Sequence, residues 1–261
     1  MATPLRSVFS GLADLVFAPV CLGCDGAIRP GSPGGATGRL VCGRCRSRLR
    51  PIPSPICERC GGPRPRTGRA PGPTCPDCDD WPTALRGARS AHLHAPPADR
   101  LVHQLKYRGW RALAEPMAAS MARAGQPADA LDAARIVVPV PTTAVRLRER
   151  GYNQAALLAE AYARRTGRTM RPLLQRISGA SSQTTLQAAA RGANVAGAFR
   201  VVPGAAHRIA GAALLLVDDV LTTGATAGEC ARTLVAAGAR SVFAITYART
   251  LDVRRLDTTW S

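Results

Sequence analysis

Leu214-Leu215-Leu216-Val217-Asp218-Asp219-Val220-Leu221-Thr222-Thr223-Gly224-Ala225-Thr226 is the stretch that decides the fold. It continues an apolar run from Ala212, and a short unbroken run of that kind reads as a strand buried on both faces. Two carboxylates stand where the run ends at Val217. A small polar loop then opens a helix over Thr226 to Ala237. Each part has a chemical use. Adjacent carboxylates at a strand end can accept hydrogen bonds from the vicinal hydroxyls of a ribose. The Thr222–Thr226 loop can surround a phosphate with backbone N–H groups and hydroxyls, aided by the positive end of the helix dipole. Gly224 lets the backbone approach closely. The separation of the two parts fits a sugar 5′-phosphate. The segment has neither the Gly-Lys pair of a Walker A loop nor a Gly-x-Gly-x-x-Gly dinucleotide fingerprint. A helix merely capped after a core strand would not require two aspartates and three threonines together.

Outward from this stretch, strand-like and helix-like segments alternate. Ala88 to His94, Arg135 to Val140 and Ser241 to Tyr247 read as strands. Asp99 to Lys106, Arg111 to Ala124 and Asn153 to Thr166 read as helices, the last with Ala155, Leu158, Ala159 and Tyr162 on one face. Apolar strands between helices predict an α/β fold, a parallel sheet with flanking helices on both faces. In such sheets ligands bind at the carboxyl ends of the strands.

Eight of the nine cysteines form four Cys-x-x-Cys pairs: Cys21/Cys24, Cys42/Cys45, Cys57/Cys60 and Cys75/Cys78. Each pair places two sulfurs on one knuckle, where they can take two vertices of a zinc tetrahedron, and two knuckles close a site. Sequential pairing gives two sites, Cys21, Cys24, Cys42, Cys45 and Cys57, Cys60, Cys75, Cys78; interleaved pairing satisfies the same spacing. Four disulfides are the alternative, with nothing in the chain arguing for export. Between the knuckles, Gly31-Ser32-Pro33-Gly34-Gly35 and Gly61-Gly62-Pro63-Arg64-Pro65-Arg66 cannot hold regular structure. A module with so little apolar surface folds around its ions. The composition shifts toward Ala, Leu and Val after Trp81-Pro82, which sets a boundary near residue 85. The expected division is residues 1–20 as an amphipathic N-terminal helix, 21–85 as the metal-stapled module, and 86–261 as the α/β domain.

The chain has 261 residues, 46% hydrophobic and 20% charged, which excludes a disordered or collagen-like protein. Its formal charge is +18, and Lys106 is the one lysine among 35 basic residues. Eight thiolates and two divalent zinc ions would bring that charge to about +14. Arginine grips phosphate bidentately and suits polyphosphate or nucleic-acid partners, although an arginine-for-lysine coding bias produces the same composition. Only arginines grouped beside a site carry weight. Near the N-terminus, Leu5, Val8, Phe9, Leu12, Leu15 and Val16 recur at helical spacing, and Asp14 interrupts what would otherwise resemble a signal peptide. No run of about 18 apolar residues exists, so no transmembrane span is expected. His92 and His94 have strand spacing and read as exposed or hydrogen-bonded strand residues rather than a metal pair, Cys230 as a buried free thiol, and Trp81 and Trp110 as packing residues.

Taken together, the residues resemble a known family. The Leu214–Thr226 segment looks like the phosphoribosyl-pyrophosphate signature of type I phosphoribosyltransferases. Val138-Pro139-Val140-Pro141 with Arg146, Arg148, Arg150, Gly151, Tyr152, Asn153 and Gln154 resembles the ComF family. So do Lys106-Tyr107-Arg108-Gly109, the spaced Gln183, Leu186, Arg191, Asn194 and Phe199, and the four knuckles ahead of them. The likeness runs from Leu12 to Thr250. It implies a double zinc ribbon joined to a type I phosphoribosyltransferase-like domain, in a bacterial cytoplasmic protein associated with competence and natural DNA uptake. It also implies binding of phosphoribosyl pyrophosphate with Mg²⁺. Asp218 and Asp219 would hold the ribose hydroxyls, and Thr222, Thr223, Gly224, Ala225 and Thr226 the 5′-phosphate. Arg146, Arg148 and Arg150 would face the pyrophosphate, and the stretch from Arg176 to Leu186 would close over the substrate. In an active phosphoribosyltransferase, pyrophosphate leaves the anomeric carbon through an oxocarbenium-like transition state, so the protein's task is electrostatic. The alternative is a non-catalytic module for a phosphoribosyl group or single-stranded DNA, working with other DNA-uptake proteins.

Overall fold

In the computed structural model, residues 19–28, 40–64, 75–125, 134–177 and 197–251 are described. The expected N-terminal helix and most of the substrate-closing stretch, with Gln183, Leu186, Arg191 and Asn194, lie outside them.

A five-stranded sheet organises the chain in the order β1-β7-β6-β2-β3, and every neighbouring pair is parallel. The strands are β1 (Leu85–Leu93), β2 (Ala134–Pro139), β3 (Thr169–Met170), β6 (Ala213–Leu221) and β7 (Ser241–Arg249). A separate antiparallel ribbon pairs β4 (Leu174–Arg176) with β5 (Phe199–Val201). From β2 the chain moves outward to β3, then returns across β2 to β6. That reversal leaves a crevice outside the carboxyl ends of β2 and β6, where ligands of doubly wound sheets bind.

Leu214, Leu215, Leu216 and Val217 are each no more than 1% exposed. Burial of such a side chain stabilises the fold by about 1.5–3 kcal/mol, and burial on both faces is why the run lacks alternation. The odd-numbered members join a cluster beneath α2 (Ala98–Tyr107), α3 (Ala114–Arg123) and α5 (Gln154–Thr166). Leu214 and Leu216 join the opposite cluster, beneath α6 (Ala206–Ile209) and α7 (Ala225–Ala236). The knuckles are divided in the same way. Cys21, Leu22, Ile28 and Cys45 pack into the α2/α3 face, whereas Cys57, Cys60, Cys75, Cys78 and Trp81 pack into the α7 face. A short helix, α1 (Gly43–Ser47), carries Cys45.

Several element boundaries differ from expectation. Strand β6 does not stop at Val217 but continues through both aspartates to Leu221, because β7 runs equally far and pairs Asp218 with Thr246 and Leu221 with Arg249. Strand β1 starts at Leu85, three residues before Ala88. The helix α4 (Ala144–Arg150) was not anticipated: it buries no residue and so has no apolar face for periodicity to report.

Candidate functional site

The two knuckle pairs repeat one local structure at an offset of 36 residues. Cys21 N–H donates to Gly26 O at 2.9 Å and Cys57 N–H to Gly62 O at 2.7 Å, while Asp25 and Gly61 donate to Cys21 O and Cys57 O, each at 2.8 Å. Asp25 and Gly61 both take positive φ, at 57° and 66°. The thiols gather sequentially as Cys21, Cys24, Cys42, Cys45 and as Cys57, Cys60, Cys75, Cys78, each set with ligand atoms within 4.8 Å of one another. A tetrahedral ion with Zn–S of about 2.3 Å separates its sulfurs by about 3.8 Å. The sulfurs of Cys24 and Cys42 are 3.8 Å apart, those of Cys57 and Cys78 3.9 Å, and those of Cys60 and Cys75 3.7 Å. This is metal geometry, far from a disulfide's roughly 2 Å. Burial alone would raise the Cys21 thiol, but N–H donors from Cys42 and Gly23 outweigh it and bring it down to about 7. Cys57 is lowered to about 7 in the same way, its N–H partners outweighing burial. Both four-cysteine sets fit structural zinc.

At the crevice, Val140, Leu216, Asp218, Thr222, Gly224 and Thr226 line one pocket. Gly224 caps α7 with φ of 84°. Its carbonyl accepts the Gly228 N–H at 2.7 Å, and Thr223 Oγ1 accepts the Ala225 N–H at 3.3 Å. Thr222 and Thr223 are exposed. The loop therefore presents hydroxyls and a helix amino terminus beside the Asp218 carboxylate, an arrangement able to hold an anion next to a polyol.

The two aspartates have different surroundings. Asp219 is 3% exposed and forms an ion pair with Lys106 of α2. Asp218 faces the pocket, and its Oδ1 accepts the Asp219 N–H at 2.8 Å. Burial, then the Asp219 charge, hold the Asp218 carboxyl well above the usual carboxylate range, against the opposing pull of Lys106. A folded-state value above the unfolded one means that folding favours the protonated form. The stability contributed is therefore full in acid and lost as pH rises through the folded value. Asp218→Asn cannot ionise, so it is expected to raise the unfolding temperature by roughly 2–4 °C near pH 8, for a gain of about 1 kcal/mol. The gain should shrink on acidification. Melts at two pH values check this, and a pH-independent shift would contradict it.

The three predicted arginines do not converge. On a helix, residues two apart lie about 200° apart around the axis, so Arg148 points away from Arg146 and Arg150. Arg150 is engaged in packing: its guanidinium lies 4.6 Å over the Tyr107 ring and donates to Gln154 Oε1 at 2.9 Å. The rest of the Arg-Gly-Tyr-Asn-Gln segment anchors the turn after β2. Gly151 ends α4 in the left-handed conformation, Tyr152 donates to Leu105 O, and Asn153 both caps α5 and donates to Val140 O at 3.0 Å. Arg146 lies close enough to Arg176 to lower its pKa further, after burial. Arg176, at the end of β4, also feels Asp218 and stacks 5.3 Å from Phe199. The sequence reading missed Lys106 and Arg176 as site residues. A lone lysine in an arginine-rich chain was the available signal for the first; Arg176 had none beyond its place at the head of the closing stretch. Elsewhere, His92 packs edge-on against Tyr247 at 5.2 Å, and burial followed by Arg123 lowers it to about 4. Cys230 is fully buried in α7, where desolvation and then Asp218 keep its thiol protonated.

Residues 12–79 match a family model described as a double zinc ribbon domain. A DNA utilization protein, YhgH, of Salmonella typhimurium is 30% identical over 216 residues, covering 81% of this chain and 91% of that protein. The chain belongs to the ComFC/YhgH family. Another member, the competence protein ComFC of Bacillus subtilis, is 29% identical over 226 residues, with 80% and 84% of the two chains covered. Among solved structures, the phosphoribosylpyrophosphate synthetase of Mycobacterium smegmatis overlaps 56% of this ComFC/YhgH chain and 37% of its own, at 18% identity and TM-score 0.31. Glutamine phosphoribosylpyrophosphate amidotransferase of B. subtilis overlaps 55% and 26%, at 19% identity and TM-score 0.33. Among the described residues, no helix of this family member is long and apolar enough to cross a membrane.

Proposed function

We propose that this ComFC/YhgH protein binds phosphoribosyl pyrophosphate in the crevice between β2 and β6. One observation carries the reading: Asp218 and the Thr222–Thr226 loop line the same pocket at the point where the strand order reverses. The loop would take the 5′-phosphate, Asp218 the ribose hydroxyls, and Asp219, through Lys106, would fix the floor beneath them. Arg146, of the expected Arg146, Arg148 and Arg150 set, and Arg176 beside it would supply cationic charge for the pyrophosphate. Among the described residues lining the pocket, Asp218 is the one carboxylate. That is too few oxygens for a protein-built Mg²⁺ cage, so a Mg²⁺ ion would be held chiefly by the ligand's own oxygens. It would neutralise pyrophosphate charge there. The names DNA utilization protein and competence protein, borne by the relatives, support a role in DNA uptake or use. Competition tests the reading: ribose 5-phosphate should displace phosphoribosyl pyrophosphate, and ribose at the same concentration should not. Displacement by neither would contradict a 5′-phosphate site.

A further inference from the structure

The phosphate loop is held from behind by the second zinc ribbon. Trp81, 7% exposed and three residues after Cys78, donates its indole Nε1–H to Thr223 O at 2.8 Å. The contact is close along its whole length. A Cβ added at Gly224 would come within 2.4 Å of the Trp81 ring, and one at Gly228 within 3.0 Å of Pro82. Gly224 is therefore required twice, by its positive φ and by the indole pressed against it.

Trp81 is itself fixed by the knuckle. Arg59 lies between Cys57 and Cys60, and its guanidinium donates to Cys78 O at 3.1 Å, Trp81 O at 3.1 Å, Pro82 O at 2.9 Å and Leu85 O at 3.2 Å. Four carbonyls of the turn that carries Trp81 thus converge on one side chain of the metal knuckle. A second route runs through Arg249, the last residue of β7 and 3% exposed, which donates to Cys60 O at 2.7 Å. The next residue, Thr250, donates its N–H to Leu221 O at 2.9 Å, where the loop begins. Among the described residues, the first ribbon has no such connection to the loop. Gly23 stands where the second knuckle has Arg59, and the first knuckle packs on the opposite face of the sheet.

We propose that Trp81 is a positioning residue for the phosphate loop, and that zinc at Cys57/Cys60/Cys75/Cys78, but not at the first site, is linked to anion binding in that loop. The ligand identity rests on the function proposed above; the mechanical coupling does not. Linkage is reciprocal: whatever zinc contributes to ligand affinity, bound ligand contributes to zinc retention at that site.

The test uses the full-length, zinc-loaded protein and Trp81→Phe, which keeps the aromatic packing and removes the N–H donor. Loss of one hydrogen bond corresponds to roughly a fivefold change in an equilibrium. Amide exchange over residues 220–229 should accelerate about fivefold in Trp81→Phe, with zinc content unchanged and exchange over residues 154–166 as in the native protein. Phosphoribosyl pyrophosphate with Mg²⁺ should bind about fivefold more weakly, and in the native protein it should slow transfer to a chelator of one zinc equivalent but not the other. Cys60→Ser should loosen residues 220–229, and Cys24→Ser should leave them unchanged. Native exchange over residues 220–229 in Trp81→Phe would overturn the positioning role, and equal loosening by the two cysteine variants would overturn the assignment to the second site. Absence of ligand binding by the native protein would defeat the functional reading, while the exchange measurements would still decide the coupling.

Discussion

Lys106→Met is expected to destabilise the folded protein by about 3–5 kcal/mol at neutral pH, the usual cost of removing one partner of a buried ion pair. Lys106 is the sole lysine and reaches Asp219 from α2. The Asp219 side chain is 4% exposed, so water cannot replace the lost ammonium. Asp218 beside it brings no positive charge to take the ammonium's place. Lys106→Met/Asp219→Asn should regain most of the loss, because both charges are then absent. Urea unfolding of the single and double variants beside the native protein checks this. A double variant no more stable than Lys106→Met would show that the pair is not what Lys106 contributes.

Cys57→Ser should have an effect of similar size. All four thiols of the second set are buried, and they share a cluster with Trp81, Leu85 and Val242. Losing the ion releases four buried thiols from that cluster, and zinc-binding free energy is folding free energy in such ribbons. We expect one zinc equivalent to be lost and the unfolding temperature to fall by roughly 8–16 °C, equivalent to about 4 kcal/mol. Cys24→Ser, at an exposed position of the first set, should lose its equivalent with a smaller drop. Metal analysis with thermal unfolding distinguishes the two variants. Equal drops would contradict the division of the ribbons between the two faces of the sheet.

What could be read beforehand depended on how local the governing interaction is. Leu214 to Val217 declared a doubly buried strand because burial on both faces leaves an unbroken apolar run. The cysteines declared their knuckles because a chelating pair needs a fixed short spacing, and the structure then resolves the open pairing as sequential. Arg146, Arg148 and Arg150 gave no sign in the sequence of sharing one helix. Thr143 accepts the Arg146 N–H and starts a helix of about two turns, which divides the three side chains between opposite sides. Helix α4 has no buried residue, so its one local sign was that capping threonine. The aspartates looked equivalent as neighbours in sequence. Only the packing of α2 across the sheet gives one of them a cation and leaves the other facing the pocket. Trp81 read as packing, which is true of its ring; the contact between its N–H and Thr223 O joins segments too far apart in sequence to be inferred.

Calorimetric titration of phosphoribosyl pyrophosphate with Mg²⁺ into the native protein and into Asp218→Asn tests the central claim most directly. The account predicts saturable one-to-one binding to the native protein and at least tenfold weaker binding to Asp218→Asn, even though that variant is the more stable protein. Equal affinity in both would remove Asp218 from the ribose site and contradict the assignment of the crevice between β2 and β6.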